Sequence, residues 1–76
     1  MQVEILTPDE TLFAGETEMV SLPGSNGSFQ ILNSHAPLIA NLAKGEVRIG
    51  EGKSATSFDV KGGLVEVLKN KVVVLV

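Results

Sequence analysis

Apolar and polar residues alternate in short bursts along this chain, and a glycine, proline or asparagine interrupts nearly every burst. Successive side chains of an extended strand point to opposite faces, so a period of two marks a half-buried strand. Val3, Ile5 and Thr7 fall on one face, with Gln2, Glu4 and Leu6 on the other. Glu18, Val20 and Leu22 share a face, and Thr56, Phe58 and Val60 alternate with Ser57, Asp59 and Lys61. Breaks are expected at Pro8-Asp9, Ala14-Gly15, Pro23-Gly24, Asn26-Gly27, Gly50 to Gly52, Gly62-Gly63 and Lys69-Asn70. Turn signals about 6–12 residues apart predict an all-β fold, an antiparallel sandwich or flattened barrel.

Only Pro37 to Lys44 resists this reading. Leu38, Ile39 and Leu42 would also line one helical stripe, yet so short a segment needs strong tertiary support to be helical. Helical turn and strand stay equally open.

With 76 residues the chain forms one domain, residues 1–76, with one core. It has no cysteine, which removes disulfides, thiolate zinc ligands and a cysteine nucleophile. The net charge is -3, and it is unevenly spread. Residues 1–38 carry five acids and no Lys or Arg, whereas residues 39–76 carry six bases and four acids. An acidic chain with one arginine and no Trp or Tyr is a poor ligand for nucleic acid, which demands clustered Lys and Arg. The asymmetry favours attraction of a basic partner to one end. The longest aliphatic run, Val72 to Val76, is far below the roughly 20 residues that span a bilayer, so no membrane insertion is expected. Met1 to Glu4 does not read as a signal peptide.

The last strands are apolar on both sides. Val72, Val74 and Val76 supply one face and Val73 and Leu75 the other; Val65 and Val67 alternate with Leu64, Glu66 and Leu68. Such strands need cover on their outer side. Either the domain's own loops provide it, or another domain or subunit docks there.

Candidate chemistry is sparse. His35 is the only histidine, and with no cysteine a metal would have to rely on carboxylates. Its neighbour Ser34 points away from it on an extended chain, so His35 reads as a turn residue bonding locally. Gly24-Ser25-Asn26-Gly27-Ser28 lacks the Gly-Lys-Ser/Thr and the following helix of a phosphate loop; it reads as a strand-linking turn in which Gly24, Asn26 or Gly27 takes positive φ. Gly62-Gly63 reads as a bulge or a close approach of backbones. Glu66 belongs on the wet face or in a pair. No catalytic residue, metal ligand or cofactor follows. Lys69-Asn70-Lys71 is a hairpin tip, a geometry shared with lipoyl and biotin carrier domains, but the residues that flank the modified lysine in those carriers are missing.

Read in order, the motifs resemble the epsilon subunit of F-type ATP synthases. The resemblance starts at Ile5-Leu6-Thr7-Pro8 and Leu12-Phe13-Ala14-Gly15, and its core is the run from Val20 to Leu38, VSLPGSNGSFQILNSHAPL. It closes with Gly45 to Ile49, Phe58 to Val67 and Asn70 to Leu75. The resemblance implies an antiparallel sandwich of about ten strands and tips Pro37 to Leu42 towards strand. It implies a non-catalytic rotor component of the central stalk, peripheral on the cytoplasmic face of a bacterial membrane or its organelle equivalent, with the gamma subunit and the c ring as partners. By position, Ser25, Asn26, Gly27 and Ser28 match the loop that faces the c ring, and Thr7, His35, Ala36, Pro37 and Leu38 match the side facing gamma. The family commonly carries glycine where this chain has Gln30 and Ser34. Its members usually continue into two regulatory C-terminal helices. The sequence stops at Val76, so an inhibitory or ATP-sensing role does not carry over.

Overall fold

The computed structural model describes all 76 residues, Met1–Val76. Nine strands form: β1 Gln2–Leu6, β2 Thr11–Glu16, β3 Met19–Gly24, β4 Gly27–Leu32, β5 Leu38–Leu42, β6 Gly45–Ile49, β7 Thr56–Val60, β8 Gly63–Leu68 and β9 Lys71–Leu75, with one 3-10 turn at Gly52–Ser54. The count is nine where about ten were expected. The ambiguous Pro37 to Lys44 segment contains a strand, paired to β8 from Leu38↔Val67 to Leu42↔Gly63.

The strands join in the order β2-β1-β9-β8-β5-β3-β6-β7, with β4 attached to β3. All pairings are antiparallel except β1 with β9, which is parallel from Gln2↔Lys71 to Leu6↔Leu75. Laid flat, the eight strands of that path would span about 34 Å at about 4.8 Å each, but the molecule measures 26 × 25 × 24 Å. The sheet therefore curls over into two layers, β2-β1-β9-β8-β5 facing β7-β6-β3-β4. It bends at the corner where Gly24 meets Leu42. The outer edges meet where Phe13 of β2 packs edge-on against Phe58 of β7, ring centroids 5.9 Å apart.

Between the layers lies one apolar cluster that includes Val3, Ile5, Val20, Leu22, Ile31, Val47, Val65, Val72 and Val74, with no polar or charged residue buried in it. Every one of these residues sits on the inward side of a period-two pattern. The Ala14-Gly15 break expected from sequence is not a break: β2 runs through to Glu16, with Gly15 opposite Val3. Having no side chain, Gly15 leaves room for the Phe13 ring, whose tip lies 3.1 Å from where a Cβ would stand. Similarly, β3 continues through Pro23-Gly24, and the turn falls on Ser25-Asn26.

Candidate functional site

Strand registers sort the candidate residues into two ends of the barrel. At one end stand the β3–β4 tip, the C-termini of β1, β5 and β9, and the start of β8. The tip residues Ser25, Asn26, Gly27 and Ser28 are all exposed and uncharged. Positive φ falls on Gly27, at 126°, a conformation that disfavours any residue with a Cβ. Two bonds hold the base of the tip against β5: the Ser25 N–H donates to the Asn41 carbonyl at 3.0 Å, and the Ala43 N–H to the Pro23 carbonyl at 2.7 Å. A short, braced, neutral loop results, which suits contact with a polar partner surface.

The opposite end carries the β4–β5 loop with His35, Ala36 and Pro37, all exposed, leading into half-buried Leu38. The His35 Nδ1 bonds the Ala36 carbonyl oxygen at 2.7 Å. A carbonyl only accepts, so Nδ1 carries the proton in this bond and Nε2 is left as the outward-facing nitrogen. Ser34 turns the loop with φ 62°. Its N–H donates to the Asn70 side-chain oxygen at 2.8 Å, and the Met1 ammonium donates to Asn33 Oδ1 at 2.7 Å and to the Thr17 carbonyl at 2.9 Å. These anchors from β1 and the β8–β9 turn escaped the sequence reading, because each joins residues far apart in the chain.

Thr7 is not with His35. It follows β1 at the tip end, four residues beyond Val3, which is level with Leu38, so it stands more than about 13 Å from His35 along the strands at about 3.3 Å per residue. Its side chain is engaged locally: Oγ1 accepts the Glu10 N–H at 3.0 Å and the Asp9 N–H at 3.3 Å and donates to the Glu10 carbonyl at 3.2 Å. Thr7 shapes the β1–β2 turn.

The outer wall of β5, β8, β9 and β1 connects the two ends. Along it, cross-strand pairing brings Leu64, Leu75 and Leu6 into one row and sets Ile39 beside Glu66, then Val73 and Glu4. No loop of the domain covers this wall, since Ile39, Leu68 and Leu75 remain 66%, 50% and 46% exposed. Cover by the domain's own loops is thereby overturned. Glu66 lies on the wet face. The hairpin Lys71 is occupied, with Nζ 3.0 Å from a Glu4 carboxylate oxygen.

Comparison with known proteins adds to this geometry. Residues 1–76 match the family described as ATP synthase, Delta/Epsilon chain, beta-sandwich domain. The ATP synthase epsilon chain of Chlorobium limicola is 44% identical over 75 residues, covering 97% of this chain and 85% of the relative. That of Leptospira borgpetersenii serovar Hardjo-bovis is 39% identical over 75 residues, and the match spans 99% of this chain but only 59% of the longer relative. A chain of the Tetrahymena thermophila mitochondrial ATP synthase central stalk and c ring superposes with a TM-score of 0.78 at 23% identity, over 97% of this chain and 60% of the other. One from the Euglena gracilis mitochondrial enzyme gives 0.86 at 20% identity, over 96% and 48%. At such identities the superpositions speak for the fold alone.

Proposed function

The chain belongs to the ATP synthase delta/epsilon β-sandwich family, and from that premise we propose that it is a non-catalytic rotor subunit that links gamma to the c ring. The observation that carries this reading is the uncovered wall running from Leu68 to Leu6, apolar apart from Glu4, Glu66 and Lys71. An apolar face of this kind on a small domain marks an interaction site. Because the wall spans the full strand length, one partner lying along it would meet both the His35 loop and the Thr7 end, which a partner seated on either end would not. In this reading gamma lies along the wall and the His35–Leu38 side, and the tip Ser25–Ser28 meets the polar loops of the c ring. The subunit then stands at the membrane surface, on the cytoplasmic side in a bacterium. Its contribution is mechanical: a close-packed interior has low compressibility and transmits strain. The alternative of a lipoyl or biotin carrier on Lys69 or Lys71 is set aside, as the family match covers the whole chain.

Co-purification with gamma tests the reading. A His35→Asp, Leu38→Glu double variant that still unfolds cooperatively should lose gamma, while the wild-type chain retains it. Retention of gamma by the folded variant would refute the assigned face. For the tip, a cysteine in place of Asn26 should cross-link to the c ring in the assembled enzyme.

A further inference from the structure

We propose that the cleft between β4 and β5 is a strand-acceptor site, filled in the assembly by an extended, uncharged segment of gamma that hydrogen-bonds to both edges. The proposal rests on gamma being the partner and adds how it is held. Three observations point to it.

The first is backbone bonding left unused. The two-residue turn at Ser25-Asn26 makes Gly24↔Gly27 a hydrogen-bonded pair, and antiparallel pairs alternate. Phe29 and Ile31 therefore bond to β3, and the N–H and C=O groups of Ser28, Gln30 and Leu32 point to the open side. Likewise the turn at Lys69-Asn70 sets the alternation across β9, β8 and β5. Leu38 and Ala40 bond to β8, and Ile39 and Asn41 point away from it. The Ser25 N–H reaching the Asn41 carbonyl at 3.0 Å lies on that same edge, which agrees with the alternation. Ile39 has no such partner across its edge.

The second is space of the right kind. A cleft of about 540 Å³ opens between these edges, with Phe29, Leu38 and Ala40 towards the core and Ser28 and Asn41 at its polar rim. A strand entering the cleft would lay its inward side chains on the apolar floor of Phe29, Leu38 and Ala40, with its backbone towards the polar rim.

The third is the distribution of charge. Residues 19–43 hold not one Asp, Glu, Lys or Arg, and both edges of the cleft lie within them. The barrel's other pair of edges is protected: β2 has an irregular register beside Leu6 and ends at Glu16, β7 contains Asp59, and Phe13 and Phe58 close the gap. Natural sheets blunt open edges with charges, bulges or cover. The β4 and β5 edges have neither of the first two, so a partner supplies the third, and a charge-free cleft selects a charge-free segment. A second folded copy could pair one open edge with one of these, but with its strands held in two layers it would not fill the cleft between both. Through Leu38 and Ile39 the cleft is continuous with the surface assigned to gamma above, and its other end is the tip assigned to the c ring.

Amide hydrogen exchange of the chain, alone and bound to recombinant gamma, tests this. In the free chain Gln30, Leu32 and Ile39 should exchange quickly and Ala40 slowly; with gamma bound the first three should slow at least about 100-fold. Ile39→Pro removes the edge donor and spares every bond to β8, as proline is tolerated on an edge. It should unfold like the wild type and bind gamma at least about tenfold more weakly, the effect of about 1.4 kcal/mol. Should proline at 39 disturb the fold, Gln30→Pro removes a donor from the β4 edge, away from the wall assigned to gamma, and should weaken binding equally. If gamma binds and these amides keep exchanging quickly, or both variants bind normally, strand addition is wrong while gamma binding stands. If gamma does not bind the wild type, both readings fall. Protection that appears with rising chain concentration alone would make a second copy the occupant and overturn the proposal.

Discussion

The side-chain oxygen of Asn70 accepts the N–H of Ser34 at 2.8 Å, joining the β8–β9 turn to the loop that carries His35. Both residues have left-handed backbones, φ 59° at Asn70 and 62° at Ser34. Asparagine visits this region more readily than most residues, and it brings the acceptor that fixes the second, less favourable one. The Asn70 carbonyl also receives the Gln2 N–H at 3.1 Å. One side chain and its backbone thus tie β1, the β8–β9 turn and the His35 loop into a single end wall.

Replacing Asn70 should show the two parts of that role. Asn70→Ala loses the acceptor and strains the turn, and should cost about 1–2 kcal/mol of stability. Asn70→Gly relieves the backbone and still loses the bond, so it should cost less, while the Ser34 amide exchanges faster in both. Urea unfolding and exchange measure the pair. Equal stability of all three proteins would mean that the turn is held by something else.

Gly63 is a second position where geometry fixes the residue. Its φ is 141°, and a Cβ there would run into the Leu75 carbonyl oxygen, a rigid backbone atom. Gly63→Ala should therefore push β9 away from β8 and destabilise by more than about 3 kcal/mol. Thermal unfolding checks this, and a variant within about 5 °C of wild type would contradict the close approach.

Much of this was legible in the sequence because each clue was local. Period two gave the inward set Val3, Ile5, Val20 and Leu22, and the turn chemistry of Asn26-Gly27 and Lys69-Asn70 marked two hairpins. The close approach at Gly63 was legible as a glycine pair within a strand signal. Three features were not. The Ala14-Gly15 pair looked like a break because nothing local says that Phe13 needs the space. The parallel pairing of β1 with β9 joins the two ends of the chain, beyond the reach of any window. The separation of Thr7 from His35 depends on register across four strands, β1, β9, β8 and β5, whereas motif order sets them on one side. The resemblance supplied the partner-facing roles, and the two-faced apolar pattern of Leu64 to Val76 already marked part of the wall that connects them.

The Lys71–Glu4 pair should matter little for folding. Its side chains are 51% and 29% exposed with the charges 3.0 Å apart, and solvent screening limits such pairs to about 0–1 kcal/mol. Lys71→Met should shift stability by less than about 1 kcal/mol, and less again in 1 M salt, where screening is nearly complete. A larger loss that persists in salt would point to packing of the lysine stem on the wall as its main contribution.

Adjacent residues of β9 should respond in opposite order to stability and assembly measurements. Val74 is fully buried between the layers, whereas Leu75 is 46% exposed on the outer wall. Val74→Ala removes buried methyl groups and leaves a cavity, which should cost about 2 kcal/mol or more in urea unfolding of the isolated chain. Leu75→Ala removes side-chain surface that is partly in water already and should cost less than about 1 kcal/mol. With gamma present the order should reverse. A folded Val74→Ala chain keeps its wall, but Leu75→Ala loses an apolar contact that assembly would bury, so its affinity should drop about tenfold. If Leu75→Ala were instead the more destabilising of the two in the free chain, the wall would already be covered, and gamma would have to bind elsewhere.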